Sequence, residues 1–326
     1  MRSFMKLAAV GSLLVSLIGV AQEKRTPTED GVVYGVADGQ SLTMDYYAPK
    51  GSGLGPGPGQ GQGRGPHPIA IVIHGGGYHG GTSKNGSEAY VADFLAPAGY
   101  AVFSVNYRLA PQYPYPYMVY DVQRAVRFIR HNAKRWDADP NKIALVGGSA
   151  GGFLSNMVGL LNAPGNPTAA DPVDRESAQA QAVVSLYAQS SFEFVPLNED
   201  VHRFLDPWIA KEGIAKKSEK EAIREASPLT YVNKDDPPFL EILGDQDEYI
   251  PMSEATNLQD ALHKVGVQCD IIRIPGGKHG TGGWNKLPGA PDWEREMTDW
   301  LNARLHHVGP IGEGIRARVA EAPNGN

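Results

Sequence analysis

Short apolar runs alternate with amphipathic segments over most of the chain. Six runs are rich in β-branched residues and carry apolar residues on both faces, which is typical of strands buried in a parallel sheet. They are Ile69–His74, Ala101–Asn106, Ile143–Gly147, Ala182–Leu186, Phe239–Leu243 and Asp270–Pro275. The segments with apolar residues at helical spacing are Asp121–Trp136, Phe153–Leu161, Met252–Val265 and Asp292–Leu305. This alternation predicts an α/β fold with a doubly wound, mostly parallel sheet.

An antiparallel hairpin is predicted ahead of the parallel strands. Val32–Val36 and Leu42–Tyr47 flank Asp38-Gly39, a dipeptide that favours the tight turn of a hairpin. We therefore expect N-terminal antiparallel strands at one edge of the sheet.

Two stretches of the predicted domain, which covers residues 22–305, lack the strand–helix pattern, and so does its C-terminal flank. Residues 51–66 have glycine at every odd position and three prolines, which predicts a flexible surface loop. Residues 187–238 contain several aromatic residues and no clear strand, and we interpret them as a small cap or insertion over the sheet's carboxyl edge. Residues 306–326 are predicted to form a polar tail.

The N-terminal 21 residues have the pattern of a targeting segment. Arg2 and Lys6 precede the apolar stretch Leu7–Ala21, which ends in the small-x-small motif Gly19-Val20-Ala21. This pattern predicts a Sec-type signal peptide cleaved after Ala21, and hence a secreted or periplasmic protein; an uncleaved N-terminal anchor is the alternative. Because a membrane span needs about 20 apolar residues, we expect no stable membrane insertion after cleavage.

Composition excludes several classes of function. The net charge is −6 with no basic run, which argues against nucleic acid as a partner. A single cysteine, Cys269, excludes an intramolecular disulfide and a cysteine-rich zinc or iron–sulfur site. We expect Cys269 to be a small buried side chain at the edge of a strand.

A candidate nucleophile lies between a predicted strand and a predicted helix. Gly147-Gly148-Ser149-Ala150-Gly151 matches G-x-S-x-G, and its position is the one that a nucleophile elbow requires. Gly147 and Gly151 have no Cβ, so strand and helix can approach each other around a strained turn. The turn is predicted to present Ser149 above the sheet.

Candidate oxyanion donors follow the first parallel strand. His74-Gly75-Gly76-Gly77 is a glycine-rich turn, and its backbone N–H groups can meet the oxyanion of an acyl-transfer reaction without obstruction by side chains. We predict that the N–H groups of Gly76, Gly77 and Ala150 form the oxyanion hole. His74 is expected to fix the loop rather than act as the general base.

A serine nucleophile needs a base, and the base needs an orienting carboxylate. In this type of fold they follow the serine in the order acid, then histidine. His279 follows the last predicted strand and is the candidate base. Asp247 follows the preceding strand and is the candidate acid, with Asp245 as the alternative. The acyl-enzyme mechanism that these groups predict calls for no metal and no organic cofactor.

The chain resembles the α/β-hydrolase superfamily of serine esterases over about residues 32–303. Within it, the chain is similar to the hormone-sensitive-lipase-like and BD-FAE-like groups, the latter comprising acetylxylan and feruloyl esterases. The motifs that carry the resemblance are His74–Gly77, Asn106–Pro111, Trp136–Pro140, Gly147–Gly152, Ser227–Thr230 with Asp236–Phe239, Gly244–Pro251 and His279.

Two residues depart from the pattern of these groups. Gly148 stands where the family usually has Asp, and Phe153 stands where the carbohydrate-esterase-like members often have His. Both differences change the predicted pocket wall.

The resemblance implies a serine carboxylesterase that acts on small acyl esters, acetyl or feruloyl, of plant polysaccharide or another small-molecule or carbohydrate ester. The predicted signal peptide implies that this esterase is secreted. A general short-chain esterase or lipase is the main alternative. An arylformamidase, a peptidase and a ligand-binding pseudo-hydrolase are more distant alternatives. Five aromatic residues are candidates for lining an acyl or sugar pocket, although each is also typical of core packing: Tyr78, Phe153, Trp208, Tyr249 and Trp284. The sequence does not define an oligomeric state.

Overall fold

An eight-stranded sheet forms the centre of the molecule, in the order β1-β2-β4-β3-β5-β6-β7-β8. The computed structural model describes residues 26–50, 66–85, 89–193 and 219–305. The strands are β1 (Glu29–Ala37), β2 (Gln40–Tyr47), β3 (His67–Ile73), β4 (Ala101–Val105), β5 (Ala138–Gly148), β6 (Ala182–Leu186), β7 (Phe239–Gly244) and β8 (Cys269–Ile274). β3 to β8 run parallel to their neighbours, whereas β1 pairs antiparallel with β2 and β2 pairs antiparallel with β4.

The sheet confirms the predicted α/β fold class and its N-terminal antiparallel strands. Each of the six predicted buried runs contributes a strand. β5 begins at Ala138, earlier than the predicted Ile143, because Ala138 pairs with His67 across an irregularity in the ladder. An irregular register of this kind leaves no periodic signal in the sequence. Cys269 is buried at the start of β8, an edge strand, as expected.

Helices flank the sheet on both faces. They are α1 (Val91–Leu95), α2 (Tyr117–Asn132), α3 (Ala150–Leu161), α4 (Glu219–Glu225), α5 (Met252–Lys264) and α6 (Trp293–Leu305). The four predicted helices are present, but α2 begins at Tyr117 and passes into a 3₁₀ turn at Ala133–Trp136. Sequence patterns missed α1 and α4, which have five and seven residues, because so few turns do not establish a helical period.

The core has a layer on each side of the sheet. Alternate residues of β3 serve the two layers: Ile71 packs with α2 and α3, and Val72 packs with α1 and α6. β4 and β6 are buried along their whole length. This two-sided burial explains why these strands are continuously apolar, and it makes the sheet a rigid base for the loops at its carboxyl edge.

Some predictions lie outside the described residues. They concern the signal peptide, residues 51–65 of the predicted flexible loop, the centre of the predicted insertion including Trp208, and the polar tail. In the C-terminal part of that insertion the structure shows α4 and a 3₁₀ turn at Pro228–Tyr231. Within the described ranges, no helix has the length and apolar character that crossing a membrane requires.

Candidate active site

Ser149 occupies a strained turn between β5 and α3. Its backbone has φ 53° and ψ −123°, a conformation that L-residues rarely adopt. Gly151 makes the turn possible, since a Cβ there would lie 2.0 Å from the carbonyl oxygen of Ile73. A Cβ on Gly147 would lie 2.3 Å from the carbonyl oxygen of Gly151. The two glycines of the motif are therefore required by close backbone approach, as their spacing predicted.

The structure brings Ser149, His279 and Asp247 together from the ends of three strands. His279 Nε2 lies 3.0 Å from Ser149 Oγ, and His279 Nδ1 lies 2.8 Å from Asp247 Oδ2. A carboxylate only accepts hydrogen bonds, so Nδ1 carries the proton and Nε2 presents its lone pair to the serine hydroxyl. This is the geometry of a nucleophile, a general base and an orienting acid.

The surroundings of the two candidate acids differ. The Asp247 side chain is fully buried, and its Oδ1 accepts the backbone N–H groups of Tyr249 and Ile250 at 2.8 and 2.9 Å. Asp245 instead accepts from Arg273 and from the Gly276 N–H. Burial acts to raise the pKa of Asp245, but these hydrogen bonds and the Arg273 charge outweigh it and hold the pKa below its usual value. Asp247 is thus the carboxylate that contacts His279, and Asp245 braces the loop after β8.

The glycine-rich loop after β3 has the backbone conformation of a tight turn. Gly76 and Gly77 have φ values of +124° and +58°, and the Gly76 carbonyl accepts the N–H groups of His79 and Gly80. Ala150 is the first residue of α3, so its N–H has no acceptor within the helix. The Ser149 N–H donates to Leu186 and is occupied. The N–H groups of Gly76, Gly77 and Ala150 are the predicted oxyanion donors.

His74 has the structural role expected of it. Its ring is buried, stacks on Tyr107 at 4.3 Å between ring centroids, and donates from Nδ1 to the Gly75 carbonyl at 2.8 Å. A Cβ on Gly81 would lie 2.4 Å from His74 Nδ1, so the ring packs directly against the backbone at Gly81. Burial lowers the pKa of His74 to about 4, which leaves the ring neutral at pH 7.

The candidate pocket residues occupy different environments. Tyr78 and Phe153 are buried, meet edge to face at 5.5 Å, and both pack on Phe192. Trp284 is also buried, and its Nε1–H donates to the carbonyl of Lys278, the residue before His279. Tyr249 is 62% exposed. Of the described candidates, Tyr249 alone presents most of its surface to solvent.

Gly148, one of the two departures from the related groups, is part of the sheet. It is buried at the end of β5 and pairs with Leu186 of β6. The other departure, Phe153, lies in the first turn of α3 and packs against Tyr78, which follows the His74–Gly77 turn. Neither position carries a charged side chain in this protein, because one is glycine and the other is phenylalanine.

Tyr187 is a site residue that sequence reasoning missed. It follows β6 directly, has φ +39°, and is buried. Its ring meets the imidazole of His279 edge to face at 5.0 Å and packs on Trp284 at 5.5 Å. Its position just past a parallel strand was the available signal, since sites of α/β sheets gather there.

A buried carboxyl lies under the site between β7 and α3. Glu241 is placed opposite Ser185 of β6, and Asn156 of α3 donates to the Ser185 hydroxyl at 3.2 Å. Burial raises the pKa of Glu241 to about 8, and the nearby Glu254 adds to the shift. Glu254 itself accepts the backbone N–H groups of Ser190 and Ser191 and so holds the segment after Tyr187.

The sheet, its order of strands and the serine at a strained strand–helix turn define an α/β-hydrolase fold. A model of the BD-FAE family matches residues 59–262. The chain therefore belongs to the BD-FAE family, which is a family of esterases.

Similar proteins include several named esterases. The chain is 32% identical over 222 residues to esterase LipC of Mycobacterium tuberculosis, covering 65% of this chain and 52% of LipC. It is 31% identical over 239 residues to an acetylxylan esterase of Xylanibacter ruminicola, covering 71% of this chain and 44% of that protein. The chain spans about half the length of the curated relatives it matches.

A solved structure agrees with the fold. The acetyl ester-xyloside bifunctional hydrolase from Caldicellulosiruptor lactoaceticus superposes with a TM-score of 0.70, covering 85% of this chain and 97% of that chain. The sequence identity is 22%, so this likeness supports the fold alone.

Proposed function

We propose that the protein is a serine carboxylesterase that hydrolyses small acyl esters of carbohydrates. The observation that carries this proposal is the continuous hydrogen-bonded series from Asp247 through His279 to Ser149. The series lies at the same edge of the sheet as the glycine-rich turn His74–Gly77 that follows β3. These groups have the contacts that acyl transfer through a serine requires.

Each residue of the series has a definite task in this reaction. Ser149 Oγ attacks the ester carbonyl while His279 Nε2 takes its proton. Asp247 holds the imidazole in the Nδ1–H tautomer and stabilises the imidazolium that forms. His279 then returns the proton to the alcohol oxygen as the C–O bond breaks. In the second half of the reaction, His279 takes a proton from water, which attacks the acyl-enzyme carbonyl; the bond to Ser149 Oγ then breaks, His279 returns the proton to Oγ, and the acid is released.

The negative charge of the tetrahedral intermediate requires donors that are already in place. We assign this role to the N–H groups of Gly76, Gly77 and Ala150. Because Ala150 begins α3, the positive end of that helix's dipole also points toward the developing charge. Each preorganised donor is worth about 3–4 kcal/mol of the activation barrier.

The aromatic residues next to the oxyanion loop favour a small acyl group. Tyr78, Phe153 and Phe192 fill the space between that loop, α3 and the segment after β6. An acetyl group needs less room beside these rings than a feruloyl group does. We therefore propose acetyl esters as the preferred substrates. The similarity to an acetylxylan esterase supports a carbohydrate as the alcohol.

A general short-chain esterase without a carbohydrate preference is the second candidate. The 32% identity to esterase LipC favours it. The two candidates share the same catalytic residues and differ only in the alcohol that they prefer.

A hydrolysis panel tests the proposal. The purified protein is assayed on p-nitrophenyl acetate, p-nitrophenyl octanoate, methyl ferulate and acetylated xylan, beside Ser149→Ala. We expect hydrolysis of the acetates to exceed that of the octanoate and the ferulate, and Ser149→Ala to lower kcat by about 10⁴-fold or more. Ser253→Ala, an exposed serine of α5, is the matched control and should keep full activity.

Two results distinguish the two candidate functions, and two others would contradict the proposed mechanism. Release of acetate from xylan supports the carbohydrate esterase. Activity confined to the p-nitrophenyl esters supports the general esterase. A folded wild-type protein that hydrolyses none of these esters, or a Ser149→Ala variant that keeps a tenth of the activity, contradicts the serine mechanism on these substrates.

We also propose that residues 1–21 direct the protein out of the cytoplasm, on the strength of their positive charges and apolar stretch. The N-terminal sequence of the exported protein tests this. It should begin at Gln22.

A further inference from the structure

Tyr249 is an exposed aromatic residue in contact with the candidate catalytic base. Four large hydrophobic side chains of the described residues are exposed: Val33, Val36, Tyr120 and Tyr249. Val33 and Val36 belong to β1 at the far edge of the sheet, and Tyr120 belongs to α2. The ring of Tyr249 lies 5.2 Å from that of His279 at an interplanar angle of 70°.

The backbone holds Tyr249 in this position. Its N–H donates to Asp247 Oδ1, and the same carboxylate accepts the next N–H, from Ile250, which is buried. The imidazole of His279 contacts two tyrosine rings, those of Tyr187 and Tyr249. Tyr187 covers it from the buried side, and Tyr249 meets it from the solvent side.

The proposed reaction, on which this inference rests, specifies what lies near Tyr249. His279 returns its proton to the leaving alcohol, so the alcohol oxygen must come within about 3 Å of Nε2. The proposed oxyanion donors, in contrast, contact the carbonyl oxygen of the acyl group. A side chain that touches the imidazole from the solvent side is thus placed to contact the alcohol part of the ester.

We propose that Tyr249 is a specificity-determining residue that stacks against the ring of a departing sugar alcohol. A tyrosine presents a large apolar surface with few rotatable bonds, and the C–H face of a pyranose packs well on such a surface. A short linear alcohol such as ethanol does not extend far enough to cover the ring. Tyr249 therefore favours esters of cyclic sugar alcohols over esters of small alkyl alcohols.

The test compares two acetates that share the acyl group and differ in the alcohol. We would measure kcat/KM for an acetylated methyl xyloside and for ethyl acetate with wild type, Tyr249→Ala and Tyr249→Phe. In Tyr249→Ala the ratio of the two kcat/KM values should shift about 5- to 10-fold against the xyloside. Tyr249→Phe keeps the ring and should restore most of the ratio. Tyr120→Ala, which removes an exposed tyrosine of α2, should leave the ratio at the wild-type value.

The rate of deacylation gives a second readout, because the alcohol has already left when the acyl-enzyme is hydrolysed. It is measured from the steady state after a burst of p-nitrophenol from p-nitrophenyl acetate. If Tyr249 stacks on the sugar alcohol, Tyr249→Ala should slow acylation by the acetylated xyloside and leave the rate of deacylation unchanged. An equal loss in acylation and deacylation would show that Tyr249 only supports the His279 ring, and it would overturn the proposal.

Other outcomes also have one meaning each. An unchanged ratio in Tyr249→Ala overturns the role of Tyr249 while leaving the esterase proposal in place. Wild-type hydrolysis of ethyl acetate without hydrolysis of the xyloside overturns the sugar-alcohol preference. If the folded wild type hydrolyses no ester, the proposed function fails and this inference fails with it.

Discussion

Replacing Asp247 by asparagine tests the orienting role of this carboxylate. Asp247 Oδ1 accepts two backbone N–H groups, and Oδ2 faces His279 Nδ1 at 2.8 Å. An asparagine has one acceptor oxygen and one donor amide. Since the backbone donors hold the oxygen in the Oδ1 position, the amide N–H₂ group faces Nδ1.

The magnitude follows from this conflict of donors. With an amide donor at Nδ1, the imidazole shifts its proton to Nε2, and the ring then cannot accept the proton of Ser149. To keep the active tautomer, the amide must flip and leave its N–H₂ group facing the two backbone N–H donors of Tyr249 and Ile250. Leaving the part-buried Ile250 donor unsatisfied costs about 1–3 kcal/mol, and the charge that stabilises the imidazolium is also lost. We expect kcat to fall about 10³- to 10⁴-fold.

The assay is the steady-state hydrolysis of p-nitrophenyl acetate by folded protein, with a thermal unfolding curve for each variant. Asp245→Asn is the matched control, because Asp245 contacts Arg273 and Gly276 and does not contact His279. We expect Asp245→Asn to cost less than tenfold in kcat. A larger loss from Asp245→Asn than from Asp247→Asn, or a loss below tenfold in folded Asp247→Asn, would refute the reasoning.

Two further predictions concern stability. Gly151→Ala should lower the free energy of unfolding by about 3 kcal/mol or more, because the new Cβ meets the Ile73 carbonyl in the rigid sheet. Gly282→Ala should be tolerated, because no atom lies within 4 Å of its new Cβ. Equal thermal or urea unfolding midpoints for the two variants would contradict this prediction. Burial raises the pKa of Glu241 to about 8, so folding favours its neutral form, and the resulting stability is present below pH 4.5 and is lost as the pH rises through 8. Glu241→Gln removes this dependence, and its free energy of unfolding should gain on wild type by about 1.4 kcal/mol per pH unit between pH 5 and 8. Parallel urea-unfolding profiles of the two proteins over that range would show that Glu241 is not responsible.

The sequence predicted well those features whose cause is local. β3, β4 and β6 are buried on both faces, so each had to be continuously apolar, and such runs are visible without any knowledge of their neighbours. The elbow is marked locally by the two glycines that flank Ser149 in one short motif, although the close contact that requires Gly151 is with Ile73 of β3. The short helices α1 and α4 gave no comparable signal.

The choice between the two candidate acids is an intermediate case. Both aspartates follow β7, and chain order admits either one. Their side chains point to different partners, Asp245 toward Arg273 and Asp247 toward His279, because the loop after β7 turns between them. The sequence favoured Asp247, and the hydrogen bond to His279 is visible only in the folded chain.

The amino-acid pattern specified the succession of strands and helices along the chain, the position of the serine turn and the chain positions from which the site residues come, since each is marked by residues within one segment. The assembled fold specified how His279 contacts both Tyr187 and Tyr249, how Phe153 packs against Tyr78, and which carboxylate meets the imidazole. These contacts join segments that are far apart in the chain, and the direction of each side chain depends on how neighbouring strand ends pack against one another. Packing of that kind leaves no periodic trace in any single segment, and it is what places these groups within contact distance of one another.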